Sequence, residues 1–292
     1  MVKIGIVGSD NSHAIAFSKL CNVAGGEDGL RVRGARVTHL FGVDQARNAE
    51  VAAAGRIPHI VADPKEMIGR VDAVLVVFRH GDLHRPHALP FLRAGIPTFV
   101  DKPLACKVAD AKRLVSAAGT SGTPLTSFST VRFAPDTVKV VKAVRQQGPA
   151  AGGAVFGPAD PDSQYGGLIF YGIHAVEVML EVFGYDVASV RAMRTAAGVV
   201  ADCLYRDGAV VSLQFLRQAR GFGVLAHTRK GHVYQELDLS TCYRDGFRVF
   251  FRMFKTGAWP LAAGQLVRPV EVMAAIVKAY QTDRTVRLKP MA

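Results

Sequence analysis

Asp101-Lys102-Pro103 follows directly on an apolar run ending Phe99-Val100, and three consecutive residues there bring three kinds of chemistry. A lysine offers a cation that stabilises a developing alkoxide. The acid before it supplies a counter-charge. The proline fixes its own φ and holds the preceding lysine extended. In open α/β sheets ligands gather at the carboxyl ends of the strands. Lys102 is therefore read as a catalytic, substrate-binding and cofactor-contacting residue, with Asp101 beside the cofactor. A second constellation runs from Tyr165 through Gly166-Gly167 and Phe170-Tyr171 to His174. It sets one histidine among apolar residues. Such a histidine is either a core residue bonded to backbone or a proton carrier, and Glu177, three residues on, could orient it. Tyr165 and Tyr171 flank it as phenolic donors.

Gly8-Ser9-Asp10-Asn11-Ser12-His13 is the first turn after a strand. A dinucleotide fingerprint asks for G-x-G-x-x-G there. Only Gly8 is present, with Asp10 and His13 where later glycines would stand. Helix-start amides and the hydroxyls of Ser9 and Ser12 could still hold an anion. Asp44 ends the second strand, where an acid bonds the adenine ribose. It lies 36 positions after Gly8, beyond the usual ~20, and the Gly25–Gly34 insertion accounts for the excess. This favours NAD, while Arg47 leaves NADP open. Phe78, Arg79 and His84 follow the fourth strand as cofactor contacts. His80, His84 and His87 raise a metal site, which is set aside because no cysteine or acidic ligand cluster joins them. Arg132 is either an anion clamp for substrate or a structural ion pair.

Short apolar strands alternating with helices occupy residues 2–128, which predicts a doubly wound parallel sheet. Residues 73–78 are apolar throughout, as a central strand is. A helix at 135–147 leads to a strand-rich half, expected over 129–292. It contains a helix at 168–183, strands near 187–197, 199–206, 209–217, 222–229 and 232–239, and a last helix at 269–281 packing back toward the first domain. The fold class is α/β: a Rossmann sheet plus an α+β domain with a large, open, mostly antiparallel sheet. Arg244-Asp245-Gly246 reads as a turn, and the basic aromatic stretch 247–255 as sheet edge or subunit contact.

The chain has 292 residues, 49% hydrophobic and 21% charged, enough for one large or two ordinary domains. Its net charge of +12 is spread along the chain, which argues against nucleic acid and suits an anionic cofactor or substrate. No run is long enough to span a bilayer, and the start has no signal-peptide layout, so a cytoplasmic protein is expected. Cys21, Cys106, Cys203 and Cys242 form no CxxC pair and read as small hydrophobes.

The acid-Lys-Pro strand end, the Gly-Gly…Gly-x-His helix, and the last helix Pro269-Val270-Glu271-Val272-Met273…Ala279-Tyr280 before Thr285-Val286-Arg287-Leu288 occur in this order. Together they resemble the glucose–fructose oxidoreductase / inositol dehydrogenase / MocA (Gfo/Idh/MocA) family over nearly the whole chain. The resemblance implies NAD(P)-dependent chemistry on a secondary alcohol or ketone of a sugar, cyclitol or related small molecule. It implies a homodimer or homotetramer formed through the open sheet. It gives Lys102 contact with the substrate hydroxyl and nicotinamide, and makes His174 the base or its relay, facing Lys102. It puts Arg132 near the substrate, with Tyr165 and Phe170. Phe170 stands where the family usually carries an aspartate. That departure leaves a rival expectation, a non-catalytic ligand-binding or regulatory protein on the same fold.

Overall fold

The computed structural model describes residues 1–23 and 31–291. Residues 25–30 of the Gly25–Gly34 insertion lie outside the described residues. The chain forms two compact units. The first comprises Met1–Phe128 and Tyr243–Leu266, the second Ser129–Cys242 and Val267–Ala292.

In the first unit strands and helices alternate as β1 (Val2–Val7), α1 (Ser12–Asn22), β2 (Ala35–Phe41), α2 (Gln45–Gly55), β3 (His59–Ile60), β4 (Ala73–Val76), α3 (His84–Arg93), β5 (Thr98–Val100), α4 (Val108–Ser121) and β6 (Leu125–Ser127). The six strands run parallel in the order β3-β2-β1-β4-β5-β6. Ala73 to Val76 are buried on both faces, because helices cover a parallel sheet on either side. Strand order reverses between β1 and β4, and that reversal opens a crevice at the strands' carboxyl ends. Between β3 and β4, Asp63 caps a short 3-10 turn with Pro64 at its start and Glu66 closing a capping box.

The second unit contains α5 (Pro135–Gln147), β7 (Ala150–Pro158), α6 (Ile169–Phe183), β8 (Val187–Thr195), β9 (Gly198–Tyr205), β10 (Val210–Leu216), β11 (Gly223–Thr228) and β12 (Gly231–Glu236). Near the end of the chain come α7 (Cys242–Thr256), α8 (Ala263–Thr282) and β13 (Val286–Arg287). Seven strands form one sheet in the order β12-β11-β7-β10-β9-β8-β13. Only β7 with β10 is parallel; the other pairs are antiparallel. Alternation sorts the faces: Val211, Leu213 and Phe215 of β10 are buried, while Val210 is exposed. Helix α6 packs on the buried face. Gly172 permits this approach, since a Cβ there would lie 3.1 Å from both Phe215 and Met273.

One expectation is corrected. The stretch 247–255 is not sheet edge but part of helix α7, whose residues from Tyr243 onward belong to the first unit. Phe247, Phe250, Phe251 and Phe254 recur at helical spacing and form one aromatic face, with the arginines elsewhere on the turn. Phe250 stacks on Phe99 at 4.2 Å and meets Phe17 edge-on at 5.5 Å. Aromatic pairs in such arrangements stabilise by about 0.5–1.5 kcal/mol beyond area burial. The first unit is thus completed by a late segment of the chain.

Candidate active site and cofactor cradle

In the first unit, the turn after β1 is built by close approach. Gly8 has φ +110°, and a Cβ on it would sit 2.6 Å from the Phe78 backbone nitrogen. The ends of β1 and β4 therefore touch where strand order reverses. Asp10 does not face an anion: its carboxylate accepts the Arg79 backbone N–H at 3.2–3.3 Å. Asn11 caps α1 by accepting the His13 N–H at 3.2 Å. Its amide donates to Asp101 Oδ2 at 3.2 Å, and His13 Nδ1 lies 2.7 Å from the same oxygen. Ser9, Asn11 and His13 are buried; Asp10 and Ser12 are exposed.

Asp101 is wholly buried. Burial alone would push its carboxyl up. His13, Lys102 and His84 outweigh burial and bring it down from 3.8 to about 2. It is thus a carboxylate that ties the β1–α1 turn to the end of β5. That corrects its expected contact with the cofactor, since a fully covered side chain offers none. Lys102 is also buried. His84 is corrected in the same way. It has no exposed surface, and its Nδ1 and Nε2 lie 2.7 and 2.8 Å from the carbonyl oxygens of Pro103 and Phe78. It braces the Asp101-Lys102-Pro103 turn against β4. Phe78 is buried under His87, their rings 4.5 Å apart.

Asp44 is exposed at the end of β2 and caps α2 by accepting the Arg47 N–H at 3.0 Å. Arg47 Nε donates to Ser9 O at 3.0 Å, and its Nη1 pairs with Glu50 at 2.6 Å. A groove beside Asp44 is lined by Phe41, Gly42, Val43, Asn48 and Ile60. The close-packed glycine turn at a helix start, the exposed acid and the partly apolar groove are the features that a dinucleotide needs. The residues present fit that group.

Among the described residues one set of three candidate metal ligands converges: His80, Asp82 and Cys106, with donor atoms within 4.8 Å of one another. His80 Nδ1 already accepts the Asp82 N–H. Burial, then Asp82, pushes the Cys106 thiol up to about 12, so it is not a thiolate at neutral pH. The other three cysteines are buried.

In the second unit, α6 carries His174 and is buried nearly all round, as its predominantly apolar sequence requires. His174 Nδ1 lies 2.6 Å from Ser129 Oγ. Glu177 acts through that serine: its Oε2 accepts the Ser129 backbone N–H at 2.9 Å. Arg132 Nε is 3.3 Å from the same carboxylate oxygen, and Nη1 is 3.4 Å from Glu181 and 2.6 Å from the Tyr185 hydroxyl. Arg132 is 1% exposed, so the substrate-clamp expectation is corrected: it is a structural ion-pair residue. Tyr171 lies edge-on to His174 at 4.8 Å, and Phe222 at 5.6 Å. Tyr165, Phe170 and Tyr171 form a continuous aromatic run, with centroids 4.9 and 5.9 Å apart. Burial holds the Tyr171 phenol above its usual range, so it is a protonated donor at neutral pH. The structure therefore gathers Tyr165, Phe170, Tyr171 and His174 and separates Arg132 from them by function. Sequence reasoning missed Ser129, Glu181 and Tyr185. The only signal was Ser129 as a cap before the 130–133 turn.

Comparison with known proteins places these features. The chain is 33% identical over 155 residues to inositol 2-dehydrogenase of Paracoccus denitrificans, covering 50% of this chain and 42% of that one. It is 32% identical over 136 residues to inositol 2-dehydrogenase of Cereibacter sphaeroides, covering 45% and 37%. The matched stretch thus spans about two fifths of these curated relatives. The crystal structure of myo-inositol dehydrogenase from Lactobacillus casei, in complex with NAD(H) and myo-inositol, superposes with a TM-score of 0.84. It covers 100% of this chain and 98% of that one at 15% identity, a likeness of fold. Residues 2–128 match the Gfo/Idh/MocA family model, described as an oxidoreductase family with an NAD-binding Rossmann fold. Over residues 2–128 the chain is thus similar to the NAD-binding Rossmann part of that oxidoreductase family.

Proposed function

We propose that the chain is an NAD-dependent oxidoreductase acting on a secondary alcohol or ketone of a cyclitol or sugar. The observation that carries this reading is Lys102, buried at the end of β5 in an NAD-binding unit and close enough to Asp101 to lower that carboxyl. In this reading the start of α1 and Ser9 hold pyrophosphate, Asp44 holds the adenine ribose, and Lys102 binds the substrate oxygen. The cofactor, when bound, exchanges a hydride with the substrate carbon. The lysine ammonium stabilises negative charge building on the oxygen. Tyr171, kept protonated, donates a further hydrogen bond. The curated relatives named for inositol support a polyol-type substrate.

Phe170 favours the rival reading, a ligand-binding protein without turnover, because no carboxylate stands four residues before His174. One experiment separates the two. NADH binding is followed by fluorescence of Trp259, and turnover is screened across cyclitols and sugars with NAD and NADP. Lys102→Ala should lower kcat by about 10²–10⁴-fold, the range of a single acid–base or charge-stabilising group, with NADH affinity retained. Absence of NADH binding up to about 1 mM, the upper end of ordinary KM values, would overturn the reading. We also propose that the chain assembles as a homodimer or homotetramer through the open face of the second sheet. Met193, Leu204, Val210 and Tyr234 are 61%, 43%, 46% and 57% exposed, and all lie on strands of that sheet. Elution of the intact chain as a monomer would sink that assignment.

A further inference from the structure

We propose that Ser129 is the positioning residue for His174, and that its hydroxyl donates into Nδ1 so that neutral His174 carries its proton on Nε2. Three observations support this polarity. First, the two atoms are 2.6 Å apart, and Ser129 is wholly buried while His174 is 6% exposed. Second, Ser129 Oγ already accepts the Val131 N–H at 3.2 Å. A hydroxyl has one proton and two acceptor positions, and a buried hydroxyl proton left without an acceptor forfeits its solvation with nothing in return. Donation to Nδ1 satisfies it. The opposite polarity would give the oxygen a second N–H and send its own proton elsewhere.

Third, the serine is not free to rearrange. Its backbone N–H donates to Glu177 Oε2 at 2.9 Å, and Arg132, 3.3 Å from that oxygen, fixes the carboxylate. Arg132 is in turn held by Glu181 and Tyr185. The ion-pair network thus ends in a hydroxyl of set orientation, and the serine occupies the orienting position that an acid often fills beside a histidine. With its proton on Nε2, His174 offers a hydrogen-bond donor to a substrate oxygen. It is then a group that binds and polarises that oxygen, and not one poised to accept the alcohol proton. The substrate part of this inference rests on the oxidoreductase reading; the tautomer does not.

The test is long-range ¹H–¹⁵N correlation spectroscopy of histidine side chains in the intact, uniformly ¹⁵N-labelled protein, at a pH where His174 is neutral. His174→Gln identifies the signals. Wild type should show an unprotonated, acceptor-type Nδ1 and a protonated Nε2. Ser129→Thr, which keeps a hydroxyl, should preserve that pattern. Ser129→Ala should shift the Nδ1 resonance while NADH affinity stays unchanged. A protonated Nδ1 in wild type overturns the proposal, as does an unmoved Nδ1 signal in Ser129→Ala. Should the alanine variant fail to fold, the wild-type spectrum still decides. Failure of the oxidoreductase reading is seen separately, as absence of NADH binding.

Discussion

Each unit buries a charged side chain, and the two are stabilised in opposite ways. Asp101 is held by residues of the turn after β1: Asn11, which caps α1, and His13, the second residue of that helix. Its partners belong to the turn proposed to cradle the dinucleotide, and in that reading its charge links binding to folding. Arg132 is held by Glu177 and Glu181 of α6 and by Tyr185 just beyond it. None of these is placed to meet a ligand; their product is the fixed position of Ser129. Buried charge of the first kind is therefore tested by pH and by cofactor, and buried charge of the second kind by stability.

The largest effect should come from the second network. Arg132→Met removes the cation beside Glu177 and leaves a carboxylate in the interior. Breaking one side of a buried pair costs about 3–5 kcal/mol. The urea unfolding midpoint should fall accordingly, with the slope unchanged. Wild-type stability with a raised KM would instead restore Arg132 as a substrate clamp and erase the contrast between the units.

Asp101→Asn should be milder. The amide keeps an acceptor for Asn11 but loses the charge beside His13. A cost of about 1–3 kcal/mol at neutral pH is expected. Its folded-state carboxyl is depressed from 3.8 to about 2. The stabilisation due to its charge is therefore complete above about pH 4 and is lost as pH falls toward 2. The gap between wild type and variant should close over that window in chemical denaturation at stepped pH. A gap that stays constant would mean that Asp101 acts by shape and not by charge.

How far these clusters were legible in the sequence follows from how local their signals are. The Asp101-Lys102-Pro103 turn, Gly8 and Asp44 announce themselves within a few residues, because turn and capping chemistry are local. The alternation of strands and helices fixed the fold class for the same reason. The Ser129–His174 pair spans 45 residues, and nothing in either segment specifies the other. Arg132 reads identically in sequence whether it faces a ligand or two glutamates. His84 looks like one of three neighbouring histidines after the fourth strand, and only the packed turn shows it enclosed by two carbonyls. The aromatic face of α7 was the avoidable miss: Phe247, Phe250, Phe251 and Phe254 carry helical spacing, but their basic neighbours read as surface.

The smallest effect is expected at Asp44, and it bears directly on the contrast between the units. Asp44 is exposed and has two separable duties: its side chain caps α2 through the Arg47 N–H at 3.0 Å, and its charge is proposed to select NAD. Serine caps a helix about as well as aspartate, so Asp44→Ser should leave stability within a few tenths of a kcal/mol. What it removes is repulsion of a 2′-phosphate. Two charges about 4 Å apart in water interact by about 1 kcal/mol, so the affinity ratio of NADPH to NADH should rise about fivefold. Arg47 is occupied by Ser9 O and Glu50, which keeps the gain modest. Glu50→Gln added to Asp44→Ser would release the guanidinium and should enlarge the gain. An unchanged ratio in fluorescence titrations with both cofactors would reduce Asp44 to a helix cap. Polar residues at the β2 end would then be scaffold, as they are around Arg132, and the distinction drawn between the two units would hold only for Asp101.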